Sequence, residues 1–219
     1  MTVPIHFLCG MSRSGTTWMS LRVNEHPDAA MFGETMYFGR RYLEPKSPPH
    51  YSDTELRKAY AALEGSALWN VKVVEGANYN NIDPERPDLV LREAIDNLPR
   101  PATPAALFTA VAEAIAEAEG AQVAVEKTPH HLMWIDRIAE AYPEARFVIN
   151  LRDPYGFTLS YKHQGDRLAD HAKDSFGTLY HPAACAMLWR GYARAAQKAQ
   201  ERYGDRIHVV RYDDIQERP

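Results

Sequence analysis

Short apolar segments with the length of β-strands alternate along this chain with longer segments that have a helical pattern. The strand-like segments are almost continuously apolar, as strands are when helices cover both faces of a sheet. At least one helical segment separates each strand-like segment from the next one. Parallel strands require such a connection. The alternation therefore predicts an α/β fold with three layers, in which helices flank a central parallel sheet. The predicted strands are residues 3–9, 28–32, 122–129, 146–154 and 206–214.

Capping residues mark the ends of the longest helical segments. Ser52 and Glu55 have capping-box spacing and begin a helix predicted to end at Gly65. Thr103 is a predicted N-cap, and Gly120 follows the last turn of the same helix. The other predicted helices are residues 16–26, 130–143, 155–163 and 182–203.

The segment 37–102 departs from the alternation outside its one capped helix. Residues 37–49 are rich in proline and arginine and are predicted to form a loop, and residues 66–102 mix a strand-like run with turn residues. We interpret 37–102 as an insertion that covers the ligand site of a single domain, residues 1–219.

Composition narrows the class of protein. The chain is 45% hydrophobic, as in soluble globular domains, and its net charge of −4 argues against broad nucleic-acid binding. No apolar run reaches the roughly 18 residues of a membrane span, and the N-terminus lacks the basic region of a signal peptide. We therefore expect a cytoplasmic protein without nucleic-acid or membrane partners; the sequence does not indicate an oligomeric state. Cys9 and Cys185 are expected to be buried free thiols, and no Cys/His spacing suggests a metal site.

A glycine loop follows the first predicted strand, at the carboxyl end where α/β sheets bind their ligands. Gly10 and Gly15 have the spacing of the glycines in a phosphate-binding loop, but Thr16 occupies the lysine position and Arg13 is the cation inside the loop. The loop N–H groups, the hydroxyls and the guanidinium together predict an anion site in a P-loop NTPase-like fold. The alternative is a tight strand-to-helix turn capped by Ser and Thr.

The fourth predicted strand ends in a second cationic sequence, INLRDP. Arg152 lies at the strand end, and Ser160 lies eight residues later in the following helix. An arginine and a hydroxyl so placed can jointly hold a second phosphate. The alternative is a surface ion pair between Arg152 and Asp153, which contributes little to stability.

Two further strand ends carry residues suited to a transfer reaction. Glu34 follows the second strand and can accept a proton from a hydroxyl, and Lys127 ends the third and can neutralise developing charge. The alternatives are a solvated or capping Glu34 and an ion pair of Lys127 with Glu126 or another neighbour. His130 and His131, which begin the next helix, are interpreted as cap or surface residues.

Taken together, these motifs resemble the sulfotransferase family, whose donor is 3′-phosphoadenosine 5′-phosphosulfate. The resemblance rests on RSGTTW after the first strand and on LRDPYGFTLSYKH downstream. HPDAAMFGE, EKTPHH and VVRYDDIQERP are further matches, so the similarity extends over most of the chain outside 37–102. The family's activity is transfer of a sulfuryl group to an acceptor hydroxyl, without a metal.

The resemblance implies a role for each motif residue. The 5′-phosphosulfate would be held by the loop residues Arg13, Ser14, Gly15, Thr16 and Thr17. Arg152 and Ser160 would bind the 3′-phosphate. Glu34 resembles the general base of members that act on glycans and on protein tyrosines, and Lys127, with Arg13, would stabilise charge around the transferred group.

Several alternatives stay open at this point. Family members usually continue beyond the position of Pro219 into a basic loop that closes over the donor. Either such a segment has been removed here, or the chain is a short variant with a more open donor site. A non-catalytic or truncated nucleotide-binding module and an atypical P-loop kinase are the competing functions. The acceptor is expected to be a small molecule or a glycan with a reactive hydroxyl.

Overall fold

Five parallel strands form one central sheet in the computed structural model, which describes residues 3–40, 49–69, 93–163 and 181–217. The strands lie in the order β2-β3-β1-β4-β5. Their bounds are Ile5–Gly10 for β1, Ala29–Gly33 for β2, Val123–Lys127 for β3, Phe147–Leu151 for β4 and Ile207–Arg211 for β5. The predicted α/β fold with a central parallel sheet is confirmed.

The strand register brings all the carboxyl ends to one edge of the sheet, called here the carboxyl edge. Gly33 of β2 pairs with Lys127 of β3, and Gly10 of β1 pairs with Asn150 of β4. The chain leaves β1 toward β2 on one side and leaves β4 toward β5 on the other. The strand order therefore switches between β1 and β4, where open α/β sheets bind ligands.

Helices lie between the strands and after the last one, largely as the sequence predicts. Their bounds are Thr16–Asn24 for α1, Asp53–Trp69 for α2, Pro104–Glu119 for α3, Ile135–Ala141 for α4, Pro154–Lys162 for α5, Pro182–Tyr203 for α6 and Tyr212–Glu217 for α7. Thr103 caps α3 by accepting a hydrogen bond from the N–H of Ala106, and Gly120 ends the helix in the left-handed conformation. The Ser52–Glu55 capping box also forms.

Three boundaries differ from prediction. α2 continues through Gly65 to Trp69, because a single glycine weakens a helix without having to end it. The helix predicted over 130–143 is instead a 3₁₀ helix, Pro129–Trp134, followed by α4. The last strand ends at Arg211, and α7 begins at once. The strand-like run predicted after α2 lies mostly outside the described residues.

Two apolar clusters, one on each face of the sheet, make the three layers. In the larger cluster, Phe108 of α3 stacks on Phe7 of β1, and Phe7 in turn stacks on Phe147 of β4. Residues of α6 belong to the same cluster. The smaller cluster includes Leu8 and packs α1 against the opposite face. Cys9 and Cys185 are buried free thiols, as predicted, and burial raises the pKa of Cys9. Within the described residues, no helix is long and apolar enough to span a membrane.

Candidate active site

The glycine loop forms a tight turn between β1 and α1, fastened to the end of β4. The N–H of Met11 donates to the carbonyl of Asn150 at 2.9 Å. The hydroxyl of Ser14 is fully buried, 2.5 Å from the carbonyl of Met11 and 3.0 Å from that of Asn150. Arg13 and Gly15 have φ values of +67° and +80°, so the backbone reverses sharply here. The hydroxyl and the N–H of Ser14 thus both bond within this turn and hold the loop in place. An anion here would instead meet the N–H groups at the start of α1 and the side chains beside them.

Helix α1 begins directly after this turn, with Gly15 as its N-cap. The first N–H groups of a helix have no partner within it, and the helix dipole favours negative charge there. Thr16 and Thr17 are the first two residues of α1, and the first hydrogen bond within the helix comes from the N–H of Met19 to the carbonyl of Gly15, at 3.0 Å. The predicted loop residues therefore lie where a phosphate group would be favoured.

Arg13, Arg152 and Ser160 meet beside the loop. Nε of Arg13 donates to Oγ of Ser160 at 3.1 Å. Nη1 of Arg152 donates to the carbonyl of Arg13, also at 3.1 Å. The guanidinium of Arg152 lies 4.4 Å from the centre of the Tyr212 ring, at the start of α7. Residues far apart in sequence thus form one cationic patch.

The alternative interpretation of Arg152 as half of a surface ion pair is not supported by the geometry. Oδ1 of Asp153 accepts hydrogen bonds from the N–H groups of Tyr155 and Gly156 and so caps α5. Among the described residues, no ion pair joins Arg152 and Asp153. The Nε atom of Arg152 is buried without a hydrogen-bond partner in the described part of the chain.

Glu34 and Lys127 form an ion pair at the ends of β2 and β3. Nζ of Lys127 lies 2.5 Å from Oε1 of Glu34. The Lys127 side chain is 5% exposed and the Glu34 side chain 44% exposed, so the carboxylate faces solvent while the ammonium lies beneath the surface. Lys127 does not pair with Glu126, because successive residues of a strand point to opposite faces of the sheet. The ion pair with another neighbour, which the sequence left open, is the one that forms.

The two groups of residues lie along the same edge. Strands in a sheet are about 4.8 Å apart, and β2 and β4 are separated by β3 and β1. The ends of β2 and β4 are therefore roughly 14 Å apart across three spacings. The glycine loop after β1 lies between the Glu34–Lys127 pair and Arg152, so a ligand lying along this edge could reach both.

The sequence also matches a known protein family over nearly its whole length. The model of the Sulfotransferase family matches residues 4–219. The chain belongs to the sulfotransferase family. Among curated protein sequences, none matches this chain significantly.

Solved sulfotransferase structures share the fold at low sequence identity. The sulfotransferase domain from the Synechococcus PCC 7002 olefin synthase is 18% identical with a TM-score of 0.58, over 97% of this chain and 67% of that one. The domain from the curacin biosynthetic pathway is 16% identical with a TM-score of 0.57, over 100% and 70%. Sulfotransferase STF9 from Mycobacterium avium is 17% identical with a TM-score of 0.52, over 100% and 61%. The chain thus spans about two thirds of the length of these structures.

A buried polar cluster behind the Glu34–Lys127 pair was not identified from the sequence. Glu126 is 0% exposed, and its Oε1 accepts hydrogen bonds from Thr35 and Thr128. Its Oε2 lies 2.8 Å from Nδ1 of His131. Burial alone would raise the pKa of Glu126, but the interaction with His131 and the threonine hydrogen bonds outweigh it and hold that pKa below its ordinary value. A charged residue inside an apolar strand was the available signal.

The interpretation of His130 and His131 as cap or surface residues does not match their positions in the structure. His131 is 1% exposed and belongs to the buried cluster. His130 is half-buried, with Nδ1 3.0 Å from the hydroxyl of Tyr192 on α6. Burial raises the pKa values of Tyr192 and Tyr161, and hydrogen bonding with the Ser12 hydroxyl, which can donate to a phenol oxygen, opposes that rise. The glycine loop is thus also held on its α5 and α6 side.

Acidic, histidine and cysteine side chains are the groups that most often bind metal ions in proteins. Across residues 3–40, 49–69, 93–163 and 181–217, no group of three or more of them has a geometry that could hold a metal ion. The polar groups at the carboxyl edge are instead guanidinium, ammonium, hydroxyl and backbone N–H donors. Such a donor set suits an anionic ligand.

Proposed function

We propose that this chain transfers a sulfuryl group from 3′-phosphoadenosine 5′-phosphosulfate to the hydroxyl of a small molecule or glycan. Membership of the family supports a transferase of this kind. The observation that carries the proposal is the Glu34–Lys127 ion pair, on the same sheet edge as the joined Arg13, Arg152 and Ser160. An anion-binding loop, a second cationic group and a carboxylate in reach of solvent are the parts that such a reaction needs.

The residues at the edge fit such a donor. Arg152 retains a buried Nε–H without a partner, and both amide atoms of the fully buried Asn150 side chain also lack one in the described part of the chain. Unpartnered buried polar groups are costly, which favours a ligand or water that satisfies them. A side chain on Gly156 would place its Cβ 2.7 Å from Nε of Arg152, so glycine leaves room for the guanidinium.

Two sets of donors would bind the two anionic ends of the donor. The N–H groups at the start of α1, with Arg13, Thr16 and Thr17, would hold the 5′-phosphosulfate. Arg152 and Ser160 would hold the 3′-phosphate. Because Arg152 donates to the carbonyl of Arg13 and Arg13 donates to Ser160, each set supports the position of the other.

Glu34 would accept the proton of the acceptor hydroxyl. When bound, the donor supplies a sulfuryl group whose bond to phosphate oxygen breaks as the acceptor oxygen bonds to sulfur. The Glu34 carboxylate is partly exposed, so an acceptor hydroxyl can approach it from solvent, as a general base requires. Lys127, largely buried beside it, would neutralise negative charge on the sulfuryl oxygens, and Arg13 would do so at the leaving phosphate.

Thermal unfolding with different nucleotides tests the donor. Adenosine 3′,5′-bisphosphate at 100 times its Kd, without metal, should stabilise the protein by about 2.7 kcal/mol. For a chain of this length this corresponds to a rise in Tm of roughly 5–10 °C. Adenosine 5′-triphosphate with Mg²⁺ should give a smaller rise. The reverse pattern would favour the atypical kinase, which the threonine at the lysine position of the loop already disfavours.

Transfer of ³⁵S from the labelled donor tests catalysis. The acceptors would be 4-nitrophenol, methyl β-D-glucoside and 1-hexanol, with water as the background. Glu34→Gln should lower kcat by about 10²–10⁴-fold, since it removes the proton acceptor. Glu25→Gln is the control, because Glu25 is also a paired carboxylate but lies with Arg22 at the far end of α1. Bisphosphate binding without transfer to any acceptor would favour the non-catalytic module.

The location of the protein in the cytoplasm stays a prediction from the sequence.

A further inference from the structure

Four buried residues, Glu126, Thr35, Thr128 and His131, connect the ends of β2 and β3 behind the site; we call them the Glu126 clamp. All four are 2% exposed or less. Burying a carboxylate costs several kcal/mol unless its oxygens are paired. Here Oε1 accepts hydrogen bonds and Oε2 lies within ion-pair distance of His131. The groups that face the two oxygens belong to segments that carry the proposed active-site residues.

Oε1 of Glu126 receives three hydrogen bonds. The N–H of Thr35 donates at 3.2 Å, its hydroxyl at 2.8 Å and the hydroxyl of Thr128 at 2.6 Å. Thr35 directly follows Glu34, and Thr128 directly follows Lys127. The same carboxylate oxygen therefore holds the backbone on the carboxyl side of both members of the ion pair, although it contacts neither side chain.

The proton positions on His131 follow from its two contacts. Nε2 lies 3.2 Å from the backbone nitrogen of Phe38, which can only donate, so Nε2 carries no proton. Nδ1 lies 2.8 Å from Oε2 of Glu126 and therefore carries one. This tautomer links the carboxylate to Phe38, at the start of segment 37–102. The backbone between Thr35 and Phe38 turns sharply, since Met36 has a φ of +52°.

We propose that Glu126 and His131 are positioning residues: the Glu126 clamp sets Glu34 against Lys127 and fastens the start of segment 37–102 beside them. This inference rests on the proposed function, in which Glu34 is the base, and on the interpretation of segment 37–102 as an insertion that covers the ligand site. The clamp has two arms. The threonine arm consists of the hydrogen bonds from Thr35 and Thr128 to Glu126, and it positions the ion pair. The Phe38 arm is the hydrogen bond from the Phe38 N–H to His131, and it positions the start of segment 37–102.

Two substitutions of His131 separate the arms. An asparagine amide lies at the same number of bonds from Cα as Nδ1, so His131→Asn keeps a donor for Glu126 and loses the acceptor for Phe38. A glutamine amide reaches the position of Nε2, so His131→Gln keeps the acceptor for Phe38 and loses the donor for Glu126. The variants are matched in polarity and differ in which bond survives.

Amide hydrogen exchange reports on each arm without any ligand. We expect His131→Asn to speed exchange at the Phe38 amide by about tenfold, the effect of one lost hydrogen bond, with Thr35 unchanged. His131→Gln should speed exchange at Thr35 and leave Phe38 protected. Equal acceleration at both amides in both variants would overturn the clamp, since it would indicate general loosening of the core.

Steady-state kinetics then test what each arm contributes to function. The acceptor is the one that gives the highest turnover in the ³⁵S assay. We expect His131→Asn to raise the acceptor KM by about tenfold with kcat within threefold of wild type, and His131→Gln to lower kcat by about tenfold. Unchanged kinetics in both would refute the positioning role. If the wild-type protein transfers no sulfuryl group, the proposed function fails, while the exchange result still decides whether the clamp exists.

Thr128→Val provides a second route should either histidine variant not fold. It keeps the shape of the side chain while removing one donor to Glu126 and the acceptor of the Met36 N–H. We expect a loss in kcat of about tenfold with bisphosphate affinity within twofold of wild type. Thr109→Val is the control, because the Thr109 hydroxyl also has a hydrogen bond, to Tyr142, away from the site. Equal effects of the two valine substitutions on kcat would overturn the proposal.

Discussion

Replacing Arg152 with lysine tests whether the second cationic group binds the 3′-phosphate of the donor. Lysine keeps the charge but cannot reproduce both the hydrogen bond from Nη1 to the carbonyl of Arg13, 3.1 Å long, and the stacking 4.4 Å above the Tyr212 ring. It also lacks the planar pair of donors with which arginine binds a phosphate. The substitution therefore removes geometry while it preserves the net charge of the site.

The size of the effect follows from those contacts. A guanidinium binds a phosphate with two parallel donors, and a hydrogen bond to a charged group contributes about 1.5–3 kcal/mol. Lysine would recover part of this through its ammonium. We therefore expect Arg152→Lys to weaken binding of adenosine 3′,5′-bisphosphate by about 2–3 kcal/mol, or roughly 30- to 150-fold at 1.4 kcal/mol per tenfold.

Isothermal titration calorimetry with two nucleotides separates a direct contact from an indirect one. Adenosine 5′-monophosphate lacks the 3′-phosphate, so its affinity should change by less than about threefold in Arg152→Lys, whereas that of the bisphosphate should fall by the full amount. Arg146→Lys is the control, because Arg146 is an exposed arginine immediately before β4, at the opposite edge of the sheet.

Equal losses for the two nucleotides would refute the assignment of Arg152 to the 3′-phosphate. Arg152 would then act through the loop, by holding the carbonyl of Arg13, and the residue that binds the 3′-phosphate would have to lie elsewhere. No loss for either nucleotide would remove Arg152 from the donor site altogether.

Two further predictions concern the fold around the site. Gly10 has a φ of +144°, and a Cβ there would lie 2.1 Å from the carbonyl oxygen of Asn150, so Gly10→Ala should lower the unfolding free energy by about 2–5 kcal/mol in urea titrations. Gly191→Ala is the control: Gly191 lies within α6 with no atom within 4 Å of its added Cβ, and should gain about 0.5–1 kcal/mol. The lowered pKa of Glu126 means that its carboxylate stabilises the fold above the ordinary glutamate pKa of about 4.3, and that this contribution is lost as the pH falls through the lower pKa of the folded state. In urea titrations from pH 6 to 3, Glu126→Gln should therefore show a shallower loss of unfolding free energy below about pH 4.5 than wild type, and equal slopes would contradict the direction of the shift.

Local signals in the sequence were sufficient for the elements of the fold. Thr103 and Gly120 mark the ends of α3 because a hydroxyl cap and a left-handed glycine satisfy the backbone groups of a helix from adjacent positions. The prediction that α2 ends at Gly65 was wrong, because an isolated glycine lowers helix stability only modestly and neighbouring residues can outweigh that cost.

The site was predictable where it depends on strand ends and less so where it depends on packing. Arg13, Arg152 and Ser160 were expected at the carboxyl edge, and parallel strands bring them together. His131 was interpreted as a cap or surface residue, because no local pattern shows that its ring is enclosed between β3 and the segment that begins at Tyr37.

The sequence by itself determined the order of strands and helices, the glycine loop and the set of polar residues at the strand ends, because periodicity and capping act over a few residues. Only the tertiary structure decided which of those residues pair. Glu34 could have remained outside any ion pair, and Lys127 could have paired with Glu126. The register of β2 against β3 instead places Lys127 beside Glu34 and leaves Glu126 to Thr35, Thr128 and His131. Such partners are set by which strands become neighbours, and that is a property of the whole fold.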